Sequence, residues 1–189
     1  MTLFYVGLGL FFVPHFYSAF RSREPGKDLR LKLGDLPFMG LYSIVSLAGF
    51  VLMIMGYQQS PAGEVLYALP FDARHILALV NLVAFVLLIA AYVPKNRIQR
   101  AVKHPMLLAI ILWSGSHLLM PTDLKELALF GSFLAYGLID AVRAYGRPSK
   151  DGGQPSAVSD AIVVVVGLGA YFGFAVWGHE ALIGLAPLG

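Results

Sequence analysis

The sequence predicts an all-α integral membrane protein, a polytopic helix bundle with about six transmembrane helices and both termini outside. Apolar residues make up 58% of the 189 residues and charged residues only 13%, whereas a soluble domain is about one quarter charged. Apolar runs of about 18 to 22 residues recur along the chain, which is the length needed to cross about 30 Å of hydrocarbon. The basic residues cluster between these runs.

The apolar runs predict six spans, at residues 2–20, 37–58, 73–93, 104–120, 123–142 and 158–178. No basic segment precedes the first span, so we expect a retained helix rather than a cleaved signal peptide. A Pro-, Gly- and Ser-rich stretch before the last span is typical of a flexible linker. We therefore predict a five-helix membrane domain at 1–146, a cytoplasmic linker at 147–159 and a C-terminal transmembrane helix at 160–189.

The distribution of basic residues predicts the orientation of the bundle. Twelve of the fourteen Lys and Arg residues follow spans one, three and five, and only Arg74 and Lys125 lie on the other side. Because cytoplasmic loops are enriched in Lys and Arg, these three loops are expected in the cytoplasm. The pI near 9.2 therefore reflects membrane topology. The expected partner is the lipid bilayer, and nucleic acid is not.

Ionisable side chains at membrane depth are the candidate functional residues, because burying them in lipid is costly. The chain has no cysteine, hence no thiolate ligand, and it has no HExxH zinc motif. Of its five histidines, His104 and His179 lie at helix ends, where capping or solvent explains them. His15 and His117 lie deeper, where either a ligand or a structural hydrogen bond explains each. His75 lies near the outer start of span three.

Imidazoles on facing helices hold haem in the cores of helix bundles, so the predicted cofactor is haem with its iron. His117 would ligate the iron together with His15 or His75. At about 1.5 Å per residue, His15 lies about 9 Å and His117 about 21 Å from the inner surface. Two ligands of one iron need similar heights, and this arithmetic favours His75 as the second ligand.

The neighbours of these histidines would form the rest of the cofactor site. Trp113 lies one helical turn before His117 and would contact the porphyrin, with Gly115 leaving room beside it. The haem propionates need cations or hydroxyl groups, which Arg74, Tyr67 and Thr122 would supply at the outer edge.

Five segments in order resemble the NnrU family of membrane proteins: "PHFYSAFR" (14–21), "GLYSIVSLAGFVLMIMGY" (40–57), "RHI" (74–76), "HP" (104–105) and "LWSGSHLL" (112–119). The resemblance covers residues 3–145 and rests on the order and spacing of these segments. The family is associated with denitrification and nitrogen-oxide metabolism. It is also similar to the plant 15-cis-zeta-carotene isomerase, a membrane enzyme that uses haem b. The resemblance implies a multi-pass protein of the bacterial inner (cell) membrane.

The resemblance also implies ligands, because the two haem histidines of the isomerase match His15 and His117. It therefore favours His15, where the height arithmetic favours His75. The isomerase has a cysteine three residues before its second histidine, proposed to exchange with it at the iron. Ser114 stands at that position here. Serine is a poor iron ligand, so thiolate exchange, and carotenoid isomerisation with it, is in doubt.

The leading prediction is thus a b-type haem protein of the NnrU type, with a redox or nitrogen-oxide role. One alternative is a haem-dependent cis-trans isomerase of a polyene such as zeta-carotene, and another is a cofactor-free membrane assembly protein. The sequence leaves open whether the protein is an enzyme, which redox partner or apolar substrate it meets, and its oligomeric state. "HP" also resembles membrane methyltransferases, but span five offers only Glu126 and Asp140, at opposite ends.

Overall fold

The structure, a computed structural model, describes residues 1–22, 24, 26–69, 74–146 and 153–187. In this part of the chain all regular structure is helical, and the one β-type pairing is an isolated antiparallel bridge between Tyr67 and Thr122. The chain divides into two compact units, Met1–Pro61 and Ala62–Gly189. Residues 147–152 of the predicted linker lie outside the described residues.

The first unit is a pair of long apolar helices with a short connecting helix. Helix α1 spans Thr2–Phe20, α2 spans Leu29–Leu33 and α3 spans Asp35–Gln59, with α1 packed along α3. The connection is ordered by Asp28, which is buried and forms an ion pair with Arg21. A carboxylate oxygen of Asp28 also accepts the backbone N–H of Arg30 at 3.0 Å, capping α2.

Glycines allow α1 and α3 to approach backbone to backbone. A Cβ atom added at Gly7, Gly49 or Gly56 would lie within 3.0 Å of main-chain atoms of the other helix. Small residues at helix crossings have this role in membranes, where close packing replaces the hydrophobic driving force. The glycines of "GLYSIVSLAGFVLMIMGY" therefore include two that build the crossing of the first unit, Gly49 and Gly56.

The second unit is built from helices α4 to α9. Their bounds are Arg74–Ala90 (α4), Arg97–Val102 (α5), Pro105–His117 (α6), Leu124–Tyr145 (α7), Ala157–Gly173 (α8) and His179–Ile183 (α9), with a π-helical turn at Phe174–Gly178 between the last two. Helix α6 packs between α7 and α4, and α4 also packs on α8. The core of this unit joins α4 to α6 through Ala84, Leu87 and Ala109.

Length and exposed apolar surface confirm a helical membrane protein. Four of the described helical segments are long and apolar enough to cross a bilayer: Thr2–Phe20, Asp35–Gln59, Leu124–Tyr145 and Ala157–Ile183. Their outer faces carry apolar side chains such as Ile44 and Val142, which are 69% and 81% exposed and suit contact with lipid. Helices α4 and α6 are apolar but have 17 and 13 residues. The count of six spans and the orientation stay predictions.

The segment at 62–69 is fastened to the connection between α6 and α7. The backbone N–H of Gly63 donates to the Asp123 carboxylate at 2.8 Å, and that of Leu66 donates to the Thr122 carbonyl at 2.8 Å. Asp123 also caps α7, because it accepts the N–H of Glu126 while the Glu126 side chain accepts the N–H of Asp123. These bonds order the connection that follows α6 and His117.

The start of α8 is fastened to the connection between α4 and α5. The N–H of Ser156 donates to the carbonyl of Lys95 at 2.8 Å, and the N–H of Arg97 donates to the Asp160 carboxylate at 2.7 Å. The Arg97 guanidinium also pairs with Asp160. The last residues before α8 are thus hydrogen-bonded to the rest of the second unit.

Candidate functional site

His117 is the last residue of α6 and is half-buried in the second unit. Its Nδ1 lies 2.8 Å from the carbonyl oxygen of Trp113, one helical turn earlier. A carbonyl can only accept, so Nδ1 carries the proton in this hydrogen bond. In the neutral ring, the lone pair available to a metal is then on Nε2.

Aromatic rings from α6 and α7 surround the His117 imidazole. The Phe130 ring stacks on it, with centroids 4.5 Å apart and planes at 26°. The Trp113 ring lies 5.3 Å from His117 and also meets Phe130 and Phe133 edge to face. The structure therefore places Trp113, predicted beside the cofactor, in contact with the candidate ligand. Phe130 and Phe133 come from the next helix and were not singled out from the sequence.

Ser114, at the position of the isomerase cysteine, is fully buried. Its hydroxyl donates to the carbonyl of Ile110 at 2.6 Å, within its own helix. The Ser114 hydroxyl is thus bound to the backbone of α6. This arrangement gives the Ser114 hydroxyl a local structural role within α6.

Two polar residues that sequence reasoning missed lie next to this site. The Asn81 amide, in the middle of α4, donates to the Ser116 hydroxyl at 3.0 Å and to the Leu77 carbonyl at 2.8 Å. The Ser116 hydroxyl donates in turn to the Trp113 carbonyl at 2.8 Å. The available signal was an asparagine in the middle of an apolar span, since polar groups at that depth are expensive.

His15 lies in the first unit and shows the same local arrangement as His117. Its Nδ1 is 2.5 Å from the carbonyl oxygen of Phe11, four residues earlier in α1. Its ring stacks on that of Phe11, with centroids 4.2 Å apart and planes at 23°, and the Tyr42 ring of α3 is 5.1 Å away. Nδ1 is again the protonated nitrogen of the hydrogen bond.

His75 and Arg74 are the first residues of α4, and both are exposed. Tyr67 and Thr122 are the two predicted hydroxyl partners of a propionate. Tyr67 lies in the segment at 62–69, and Thr122 lies in the connection between α6 and α7. The hydroxyl of Tyr67 donates to the Leu118 carbonyl, and that of Thr122 donates to the Met120 carbonyl at 2.7 Å. Each hydroxyl has one proton, so neither can donate to a propionate in this conformation.

The remaining histidines lie at helix ends, as predicted. His104 precedes α6 and meets the Tyr145 ring edge to face at 5.2 Å, while its Nε2 is buried without a hydrogen-bond partner in the described part of the chain. His179 begins α9, and its Nδ1 is 2.7 Å from the Leu185 carbonyl oxygen. Among the described residues, no three His, Asp or Glu side chains are grouped to hold a metal ion. The candidate metal ligands among the described residues are therefore single imidazole nitrogens rather than a cluster of side chains.

A comparison with protein families shows which family the chain belongs to. The family model described as NnrU protein matches residues 3–187, nearly the whole chain. The chain belongs to the NnrU family. The predicted resemblance is therefore confirmed, and it extends beyond residue 145 to include α8 and α9. No curated protein and no solved structure matches this NnrU chain.

Proposed function

We propose that this NnrU family member is a b-type haem-binding membrane protein in which His117 would hold the iron. The observation that carries the proposal is the hydrogen bond from His117 Nδ1 to the Trp113 carbonyl at 2.8 Å. Metal-ligating histidines almost always donate the second ring N–H to a carbonyl, carboxylate or water, which orients the ring and raises its basicity. We further propose a bacterial inner-membrane location and a redox or nitrogen-oxide role.

The residues around His117 are compatible with an imidazole that would hold a haem iron. The donor is a neutral imidazole, as in haem proteins with histidine ligation. Stacking on Phe130 at 4.5 Å restricts rotation of the ring, and the Trp113 and Phe133 rings extend the apolar surface. When bound, haem would supply one-electron chemistry at its iron. The protein supplies ring orientation, ligand basicity and an environment low in water.

His15 is the other histidine with this arrangement, and it matches the first haem histidine of the isomerase. The Nδ1 bond to Phe11 at 2.5 Å and the stacked Phe11 ring support His15 as a ligand in the first unit. His75 has an exposed position at the start of α4, with less to hold its ring in place. We therefore rank His15 above His75 as a candidate ligand.

The test is the absorption spectrum of purified protein, oxidised and dithionite-reduced, with a pyridine haemochrome assay for haem b. We expect the wild type to bind haem, and His117→Ala to lose haem or its low-spin spectrum. His104→Ala is the matched control, because His104 also lies at an end of α6 but makes no Nδ1 bond to a carbonyl one turn earlier. A His117→Ala protein with full haem content and an unchanged spectrum would overturn the proposal. So would a wild type that stays colourless after haem is supplied.

The two alternatives make different predictions. A polyene isomerase needs the reduced haem protein to change the geometry of a cis-polyene, and the buried, backbone-bound Ser114 offers nothing for thiolate exchange. A cofactor-free assembly protein would be colourless and would keep its fold in each histidine variant. The Nδ1 bond of His117 supports the leading proposal, because it leaves Nε2 as the nitrogen that a metal would bind.

A further inference from the structure

A chain of hydrogen bonds runs from α4 to the carbonyl that holds His117. Asn81 Nδ2 is 3.0 Å from Ser116 Oγ, Ser116 Oγ is 2.8 Å from the Trp113 carbonyl oxygen, and His117 Nδ1 is 2.8 Å from the same oxygen. The Trp113 carbonyl thus accepts side-chain protons from two donors. Only the first of these bonds joins two helices.

The direction of each bond follows from elimination. Asn81 Nδ2 lies 2.8 Å from the Leu77 carbonyl oxygen, so a flipped amide would put two acceptor oxygens against each other. The amide nitrogen must therefore face both Leu77 and Ser116. Because Asn81 donates to Ser116, the single hydroxyl proton of Ser116 is left for the Trp113 carbonyl.

This orientation leaves one atom of the Asn81 amide without a hydrogen bond. Asn81 Oδ1 is buried and has no hydrogen-bond partner among the described residues. A buried unsatisfied acceptor costs about 1–3 kcal/mol. The amide is thus held by its two donor contacts, and the contact to Ser116 is the one that leads to the histidine.

The chain of bonds has a predictable effect on the imidazole. A hydroxyl that accepts a hydrogen bond becomes a stronger donor, so Asn81 strengthens the bond from Ser116 to the Trp113 carbonyl. That carbonyl oxygen is then a weaker acceptor for the Nδ1 proton of His117. Since the Nδ1 bond raises the basicity of a ligating imidazole, weakening it lowers the basicity of Nε2.

We infer that Asn81 is a positioning residue for His117, acting through the Ser116 hydroxyl and the shared Trp113 carbonyl to tune the His117 imidazole. The inference rests on the proposed function for its meaning, because it concerns the histidine assigned there as the iron ligand. The property predicted to change is the strength of the His117 Nδ1 hydrogen bond. That property can be measured without any haem.

The test is nuclear magnetic resonance of the full-length chain, labelled with ¹⁵N in its histidine rings, in lipid nanodiscs and without added haem. The loss of one set of ring signals in His117→Gln assigns the residue. We expect wild-type His117 to carry its proton on Nδ1. Asn81→Leu and Ser116→Ala should both move the Nδ1 proton resonance downfield. In each variant the Trp113 carbonyl loses all or part of its hydrogen bond from Ser116, so its bond to the Nδ1 proton of His117 becomes stronger.

The matched control is Ser114→Ala, on the same helix and equally buried. The Ser114 hydroxyl donates to Ile110 and not to Trp113, so its loss should leave the His117 signals in place. Ser116→Thr keeps the hydroxyl and should restore the wild-type resonance. The inference is overturned if Asn81→Leu leaves the His117 resonances unchanged, or if Ser114→Ala moves them as much as Ser116→Ala. Should Asn81→Leu fail to fold, equal spectra for Ser116→Ala and wild type would overturn it alone.

A second readout uses the protein supplied with haem. A more basic Nε2 stabilises the oxidised iron, so Ser116→Ala should have a lower reduction potential than wild type, and Ser114→Ala should not. Failure of the wild type to take up haem defeats the proposed function and leaves the resonance result standing. Haem uptake with unmoved His117 resonances in the Asn81 and Ser116 variants defeats this inference and leaves the proposed function standing.

Discussion

The Nδ1 of His117 donates to the carbonyl oxygen of Trp113 over 2.8 Å, and this bond determines which nitrogen of the ring can bind a ligand. It is a local bond, from a side chain to the backbone one turn earlier in α6. The stacked ring of Phe130 comes from α7, and it restricts the orientation of the His117 ring in a way that α6 alone would not.

If His117 holds haem as proposed, Phe130→Leu should weaken haem binding without abolishing it. The substitution removes the ring stacked on His117 at 4.5 Å, and such aromatic pairs contribute about 0.5–1.5 kcal/mol beyond their buried area. We therefore expect haem affinity to fall by roughly two- to tenfold, measured by haem titration. Phe85→Leu is the control, because the Phe85 ring packs on Tyr171 and Phe174 rather than on His117. Equal affinity in both variants would contradict the role given to Phe130.

Ser114→Cys should leave the haem spectrum unchanged. The Ser114 hydroxyl is bonded to the Ile110 carbonyl and is fully buried, so a thiol at this position is directed at the backbone of α6. The oxidised and reduced spectra of Ser114→Cys are compared with those of the wild type. Appearance of a thiolate-ligated spectrum would show that residue 114 reaches the iron, which would revive ligand exchange and the isomerase alternative.

Gly49→Ala should destabilise the first unit. The added methyl group would lie within 3.0 Å of the α1 backbone, which cannot move aside as a flexible side chain can. Overpacking of this kind costs about 1–3 kcal/mol, and the thermal unfolding midpoint in detergent should fall. Gly9→Ala provides the control, since a methyl group there meets nothing within 4 Å. An equal midpoint for the two variants would mean that α1 and α3 do not cross as described.

Asp123→Ala should loosen the segment at 62–69 from the start of α7. The variant loses the cap of α7, worth about 0.5–2 kcal/mol, and the bond from the Gly63 N–H. Limited proteolysis in this segment should therefore become faster. Glu180→Ala, a carboxylate replacement elsewhere in the second unit, should leave the proteolysis rate unchanged. Equal cleavage of wild type and Asp123→Ala would contradict the fastening described here.

The same carboxylate predicts a pH dependence. Burial raises the pKa of Asp123, but hydrogen bonds from the N–H groups of Glu126 and Gly63, with the charge of Lys125, outweigh it and lower the pKa overall. A lowered folded-state pKa means that the fastening is fully present above the pKa of a free aspartate and is lost as pH falls through the folded value. The Gly63 amide resonance should change only at acidic pH. A midpoint at or above that of a free aspartate would contradict this prediction.

Some features of the site were open to sequence reasoning and others were not. His15 and His117 could be singled out because ionisable side chains in apolar spans are costly, and Trp113 because it lies one helical turn before His117. The hydroxyls of Tyr67 and Thr122 were assigned to propionates, yet they donate to backbone carbonyls. Their partners depend on how the segment at 62–69 returns to the end of α6, which no local pattern reveals.

The sequence by itself determined that this NnrU chain is a helical membrane protein with histidines within its apolar helices. In lipid each helix must satisfy its own backbone hydrogen bonds, so length, apolarity and the position of charge suffice for that conclusion. Tertiary structure alone decided that α1 meets α3 at Gly49, that Phe130 stacks on His117 and that Asn81 reaches Ser116. These contacts depend on the relative rotation of packed helices, and the interhelical contacts that decide it have no fixed spacing along the chain.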